Sequence, residues 1–293
     1  MITIQNLTFG YKRKKPLYEN FSFRLETGHV CGLLGKNGVG KSTLLYLICG
    51  LLCPQRGEVC FRGTNVFKRL PRQTGDLFLI PEEFDLPKIP LRSFVSVNAP
   101  FYPRFSREQM EVNLQTFGLD MEQDLGALSM GQKKKVYISF ALASGVSLLV
   151  MDEPTNGLDI PGKSQFRRLI AQNMNEERSI LISTHQVGDI DKMLDQVVIL
   201  DDRGVVLDEL TQELCEKLLF LDEETLVDEA EVLYRQPNLG GYSAVVPNRT
   251  GRESRLNLEL LFNAALQDIP RLQQLLNTDS AKIRSLKDAN DEK

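Results

Sequence analysis

The stretch Gly35-Lys36-Asn37-Gly38-Val39-Gly40-Lys41-Ser42-Thr43 is a complete G-x-x-x-x-G-K-[ST] loop, and it restricts the possible folds more than any other part of the chain. Its glycines let successive backbone N–H groups turn toward one point at the start of a helix, which makes a cradle for phosphate oxygens. In such a cradle Lys41 reaches the β- and γ-phosphates of a nucleoside triphosphate, and the Ser42 hydroxyl is a ligand for Mg²⁺. The flanks agree. Val30-Cys31-Gly32-Leu33-Leu34 reads as a buried strand and Leu44-Leu45-Tyr46-Leu47-Ile48 as an apolar helix face. A glycine-rich turn that merely preceded a lysine would lack this strand-loop-helix setting.

The rest of the chain supplies the sheet that such a loop needs. Apolar residues alternate over Ile2 to Phe9 and Phe21 to Leu25, with the turn Lys12-Arg13-Lys14-Lys15-Pro16 between them, so the chain opens with antiparallel strands. Short strands follow at Gly57 to Gly63 and Leu77 to Ile80. Prolines 87, 90, 100 and 103 then mark a helical insertion, about residues 82–128, in which Ser106 and Gln109 read as a capping box for a helix ending near Phe117. Beyond it come helix Gly131 to Ala143, strand Leu148 to Met151, helix Gly162 to Met174, strand Ile180 to Ser183, helix Val187 to Leu194 and strand Gln196 to Leu200. Alternating strands and helices predict an α/β fold with a mainly parallel sheet covered on both faces. The regular pattern ends near Asp208. A helix from Thr211 to Leu219 would open a small C-terminal α+β region over 211–278, and 279–293 is polar enough to be a disordered tail.

Composition limits the setting. A chain of 293 residues can bury a large core without staples, and a net charge of -4 argues against a nucleic-acid surface. Cys31, Cys49, Cys53, Cys60 and Cys215 lack ligand spacing and read as free thiols in a reducing compartment. The N-terminus has no secretory pattern, and the longest uncharged run, Val136 to Met151, is shorter than the roughly 18 residues a bilayer crossing needs. A cytoplasmic protein is expected.

A second motif supplies carboxylates. The apolar run Leu148 to Met151 delivers Asp152 and Glu153 at the carboxyl end of a buried strand, where open parallel sheets bind ligands. There Asp152 can hold Mg²⁺ directly or through water, and Glu153 can accept a proton from an attacking water. Leu128-Ser129-Met130-Gly131-Gln132 precedes this pair, Asn156-Gly157-Leu158-Asp159 follows it, and His185 stands after the strand Ile180 to Ser183. With the Gly35 to Thr43 loop, the set resembles the ATP-binding cassette ATPases over residues 1–210, a P-loop NTPase core with an N-terminal antiparallel β subdomain.

The resemblance implies ATP and Mg²⁺ as ligands and assigns roles. Tyr11 would stack on adenine. Ser129 and Gly131, with Gln132 of the same signature, would bind the γ-phosphate of ATP held by a second cassette subunit, identical or related. Asp159 would cross that interface, and His185 would contact the γ-phosphate. Two departures stand out: Glu82, followed by Glu83, occupies a position where glutamine is usual among metal-site residues, and Met130 replaces the first signature glycine. One phosphate loop per chain argues against the translation-type members, and the absence of a long heptad arm between Ser42 and Asp152 argues against the chromosome-organising ones. A transporter motor is the leading expectation: the insertion would dock on a separate multi-span permease, and the protein would sit on the cytoplasmic face of the membrane. Phe101-Tyr102-Pro103-Arg104-Phe105 in a short, proline-rich insertion resembles bacterial export-type cassettes, although the same aromatics could instead fill the insertion's core. The alternative is a soluble cassette ATPase that regulates a non-transport partner.

Overall fold

A computed structural model describes residues 1–11, 16–202, 204–223 and 231–276. The basic run Lys12 to Lys15 and the tail 279–293 therefore lie outside the described residues. The N-terminal sheet has the order β2-β1-β4-β5, from β1 (Ile2–Phe9), β2 (Tyr18–Leu25), β4 (Arg56–Phe61) and β5 (Thr64–Asn65), all antiparallel. The central sheet has the order β10-β9-β3-β8-β7-β6. Its strands are β3 (Val30–Gly35), β6 (Leu77–Ile80), β7 (Leu148–Asp152), β8 (Ser179–Thr184), β9 (Gln196–Asp201) and β10 (Gly204–Leu210), and only β10 runs against its neighbour.

Helices cover that sheet because its strands are apolar on both sides. In β7, Leu149 and Met151 join one core cluster while Leu148 and Val150 join the other, and in β8 Ile180 and Ile182 oppose Leu181 in the same way. Side chains of a strand alternate between faces, so a continuous apolar run fits a strand that is covered on both faces. One face packs α1 (Lys41–Ile48) and the N-terminal sheet. The other packs the insertion helices α3 (Leu91–Asn98) and α4 (Arg107–Thr116), with α5 (Met130–Ala143) and α6 (Ile160–Asn173). The short α2 (Pro71–Thr74) leads into β6. In β3, a Cβ at Gly32 would lie 2.4 Å from a Leu194 methyl, so a side chain at this position would have to displace Leu194.

Several features differ from expectation. The predicted helix over Val187 to Leu194 is instead a pair of 3₁₀ turns, Val187–Asp189 and Asp191–Met193. This segment returns from the carboxyl end of β8 to the amino end of β9, a distance of roughly 20 Å for strands of this length. The backbone leaves helical geometry at Ile190 (φ -126°), which separates the two turns before a helix can propagate. Strand β10, which has no counterpart among the expected strands, pairs along β9 from Gly204 to Leu210. The capping box at α4 is half formed: Ser106 Oγ accepts from Gln109 N, but the Gln109 amide donates to Asn113 Oδ1.

The C-terminal region contains α7 (Thr211–Lys217), the antiparallel sheet β11-β13-β12 (Leu218–Glu223, Gly241–Pro247, Tyr234–Asn238), α8 (Leu258–Gln267) and a helical segment over 269–276. Leu218 and Leu219, expected at the end of a helix, begin β11. Leu214, Leu258 and Leu261 share a core cluster with Ile190 and Val197, so this region packs directly on the connection that follows His185.

At the junction, burial and the neighbouring Glu213 push the Glu209 carboxyl up to about 7, against the opposing pull of Lys217. A raised acid pKa means the folded state holds its proton longer than the unfolded chain. The resulting stabilisation is full below about pH 4.5 and is lost as pH rises through about 7. Glu209→Gln should therefore melt like the wild type at pH 4 but about 2 °C or more higher at pH 8, by calorimetry. Equal melting differences at both pH values would refute this.

Candidate functional site

Parallel register brings the predicted residues together. Leu34 in β3 lies beside Thr184 in β8, and Ser183 in β8 lies beside Asp152 in β7, so three strands end side by side at one edge of the sheet. A cavity of about 580 Å³ opens there, lined by Tyr11, the phosphate loop, Glu82, Asp152, Glu153 and His185.

The loop is shaped by its glycines. Gly38 and Gly40 have φ of 82° and 113°, in the left-handed region that side-chain-bearing residues avoid. A Cβ on Gly40 would also lie 2.6 Å from the Tyr18 hydroxyl, which donates to the Gly40 carbonyl at 2.9 Å. Tyr18 thus holds the loop from behind, and no sequence motif announced it. Val39 is buried under the loop, and α1 begins at Lys41 with no side-chain cap, which leaves its first-turn amides directed at the cradle. Lys36 and Asn37 form the outer rim, both exposed.

Lys41 is buried, with Nζ donating to the carbonyls of Gly35 at 2.8 Å and Lys36 at 3.3 Å. Burial pushes its pKa down, while Glu153, Asp152 and Glu82 pull it back up. Tyr11 is half exposed. Its hydroxyl lies 3.0 Å from Thr43 Oγ1 and its ring meets Phe9 edge-on at 5.1 Å, which places an aromatic face beside the loop.

The two acids are held differently. Asp152 is 2% exposed and accepts from the Ser183 hydroxyl. Glu153 has φ of 44°, a left-handed backbone uncommon for a residue of its shape, and strain of this kind gathers where side chains must be aimed. Its Oε2 accepts from Thr184 Oγ1 at 3.0 Å, and its Oε1 accepts from the His185 amide at 2.9 Å and from His185 Nδ1 at 2.7 Å. A carboxylate facing Nδ1 assigns the ring proton to that nitrogen and leaves Nε2 pointing away. His185 is thus brought onto Glu153 itself. A polar chain links the remaining walls: Asn156 Nδ2 donates to Glu82 Oε1, Gln186 Nε2 to Asn156 Oδ1, and Lys163 Nζ to Gln186 Oε1. Asn156, Gln186 and Thr184 contribute through contacts that no spacing in the sequence reveals.

Ser129, Gly131 and Gln132 are elsewhere. They begin α5, and none lines the cavity. Ser129 Oγ accepts from Gln132 N at 3.3 Å while Gln132 Oε1 accepts from Ser129 N at 3.0 Å, a reciprocal cap that fixes the serine. A Cβ at Gly131 would lie 2.9 Å from the Gly157 carbonyl, so this glycine is also required for packing within the chain. Met130 is exposed. Asp159 caps α6 through Gly162 N and pairs with Lys135 Nζ at 3.1 Å, which holds its carboxyl below the usual range.

Comparison with known proteins agrees with this geometry. The sequence profile described as ABC transporter matches residues 18–156. The bacitracin transport ATP-binding protein BcrA of Bacillus licheniformis is 31% identical over 217 residues, spanning 72% of this chain and 69% of that protein. The ABC transporter ATP-binding protein NatA of Bacillus subtilis is 29% identical, spanning 70% and 88%. Among solved structures, an ATP-binding subunit of an ABC transporter superposes with a TM-score of 0.66 at 26% identity, over 73% of this chain and 91% of that one. A dimeric cassette bound to ADP and Pi has the same fold, with a TM-score of 0.63 at 23% identity over 72% and 98%.

Proposed function

The chain belongs to the ABC transporter family of ATP-binding proteins, and from that membership we propose that it is the ATP-hydrolysing subunit that drives a separate membrane permease by ATP-dependent pairing with a second cassette. The observation that carries the reading is the divided site. Gly35 to Thr43, Asp152 and Glu153 converge on one cavity, while the capped Ser129 turn, a second anion-directed helix start, lies outside it. A second subunit, identical or related, would bring its Ser129 and Gly131 to the γ-phosphate held here, with Asp159 beside the seam.

Hydrolysis of a phosphoanhydride needs charge neutralisation and alignment more than covalent chemistry. Lys41 and the loop amides would hold the β- and γ-phosphates, Tyr11 would stack on adenine, and Glu153 would take the proton of the attacking water. Thr184 and His185 aim that carboxylate. The oxygen donors fit Mg²⁺, which favours few carboxylates together with phosphate oxygens and water. Ser42 and Asp152 would hold the ion, and Glu82 would reach it directly or through water. When bound, Mg²⁺ neutralises charge on the phosphates.

Among the described residues no helix is long and apolar enough to cross a membrane, so the reading requires a partner that does. The insertion offers a surface for it. Tyr102 and Phe105 pack on the core against Phe78 and Phe140, but Phe101 is 69% exposed beside the equally open Val97. The Phe101 carbonyl abuts Gly75, next to an apolar cavity of about 180 Å³ that includes Leu51, Thr74 and Leu79. We place the permease contact here, on the cytoplasmic face of the membrane, in keeping with an export-type cassette.

The test is purification from detergent-solubilised membranes. A multi-span protein recovered in fixed stoichiometry is the expected result, and Phe101→Asp should reduce that recovery at least tenfold with ATP affinity unchanged. A pool bound wholly to ribosomes or DNA would instead support a soluble cassette acting on a non-transport partner.

A further inference from the structure

Lys134, in the first turns of α5, is a buried cation outside the lining of the cavity. It is 6% exposed, and among the described residues no carboxylate lies within ion-pair distance of it. Its ammonium donates instead to two backbone carbonyls, Glu153 O at 3.2 Å and Asn156 O at 2.9 Å. Burying an ammonium against neutral acceptors is unfavourable unless charge-assisted bonds and nearby opposite charge offset the lost hydration. Glu82, Glu153 and Asp152 supply that charge, since each favours the protonated amine against the effect of burial.

The choice of carbonyls gives the arrangement its meaning. Glu153 sits at φ 44°, so its peptide must be held from outside. Its amide donates to Ser183 O at 3.0 Å, and its carbonyl is gripped by Lys134. The same end of α5 touches this loop twice more, through the close approach of Gly131 to Gly157 O and through the Lys135–Asp159 pair. The helix start that carries Ser129 and the loop that carries Glu153 are therefore fastened into one piece.

We propose that Lys134 is a positioning residue for hydrolysis: it ties the Glu153 to Asp159 loop to the start of α5, so that seating of Ser129 on the nucleotide across the dimer sets the aim of Glu153 in its own site. This rests on the composite-site reading above. A lysine here is more than a core filler with a satisfied head group, because its acceptors are the backbone of the general base and of the residue that contacts Glu82.

The experiment compares Lys134→Met and Lys134→Arg in the full chain, by steady-state ATPase kinetics and by fluorescent ATP-analogue binding. The methionine keeps the stem and removes the donors. It should lower kcat tenfold or more while KM and analogue affinity stay within twofold, and arginine should restore kcat to within threefold of wild type. A Lys134→Met enzyme with wild-type kcat, or one whose affinity falls as far as its kcat, overturns the proposal. Should the methionine variant not fold, hydrogen exchange on the wild type decides. Added ATP should slow exchange in 153–159 together with 129–135, and protection of one segment without the other overturns the coupling. Failure of the composite-site reading would show in the wild type itself, which would then neither hydrolyse ATP nor pair, and would overturn this proposal with it.

Discussion

Glu153→Gln should bind ATP with wild-type affinity, lose at least 100-fold in turnover and accumulate as an ATP-bound dimer. A positioned general base contributes typically 10²–10⁴-fold, and the amide of glutamine cannot take the proton of water. The substitution is nearly isosteric, so the phosphate loop, Lys41 and Tyr11 keep their places. One contact changes sign. Glu153 Oε1 accepts from both the amide and Nδ1 of His185, and Oε2 from Thr184; a side-chain NH₂ can replace only an oxygen that does not face a donor. The amide should keep its oxygen toward His185 and turn its NH₂ toward Thr184, whose hydroxyl can rotate to accept. The variant should therefore fold, and its loss should lie in chemistry rather than in binding. Phosphate release measured alongside light scattering with ATP separates the two. Release at the wild-type rate would remove Glu153 as the base, and a monomer that binds ATP tightly yet never pairs would remove the composite site.

What could be read from the sequence follows from how local each signal is. The phosphate loop and the buried strands around it were legible because their demands are met within a few residues: positive φ at Gly38 and Gly40, and apolar side chains on both faces of β3, β7 and β8. The connection after His185 has residues that suit a helix, yet its backbone breaks at Ile190, which is fully buried in the core, so packing from outside the segment decides its form. Strand β10 was missed because only its pairing with β9 makes Gly204 to Leu210 regular. Phe101, Tyr102 and Phe105 could not be sorted into surface and core by spacing, since a 3₁₀ turn and the bend after it separate them rather than a helix of fixed period. Within the site, the chemical residues announced themselves by type, whereas their supports did not. Tyr18, Asn156, Gln186 and Lys134 act through backbone carbonyls and amide pairs that any polar residue could make in another fold.

The second large effect concerns Lys41, and it separates stability from binding in one measurement. Lys41→Ala should weaken ATP binding about 100-fold. A charge-assisted bond to phosphate is worth roughly 1.5–3 kcal/mol, or tenfold per about 1.4 kcal/mol, and loss of the cation also leaves Asp152, Glu153 and Glu82 facing the phosphates without compensation. Without nucleotide, however, the variant should melt no lower than the wild type. Lys41 is 7% exposed, and its hydrogen bonds go to Gly35 O at the buried end of β3 and to Lys36 O on the exposed rim, carbonyls for which water entering from the adjoining cavity would take over as donor once the side chain is gone. Burial opposes its charge, so its removal relieves a cost that the folded chain otherwise bears. With ATP at about 100 times the wild-type Kd, binding stabilises the wild type by about 2.7 kcal/mol, which is roughly 5 to 10 °C for a chain of this size. The variant, near its own Kd at that concentration, should gain only about 1 °C. A Lys41→Ala protein that keeps the full ATP-induced shift would show that the loop amides alone carry the phosphates and that this lysine serves another purpose. A variant already destabilised without ATP would show that the lysine's bonds to Gly35 and Lys36 hold the loop together, and the loss of affinity would then belong to the cradle and not to the charge.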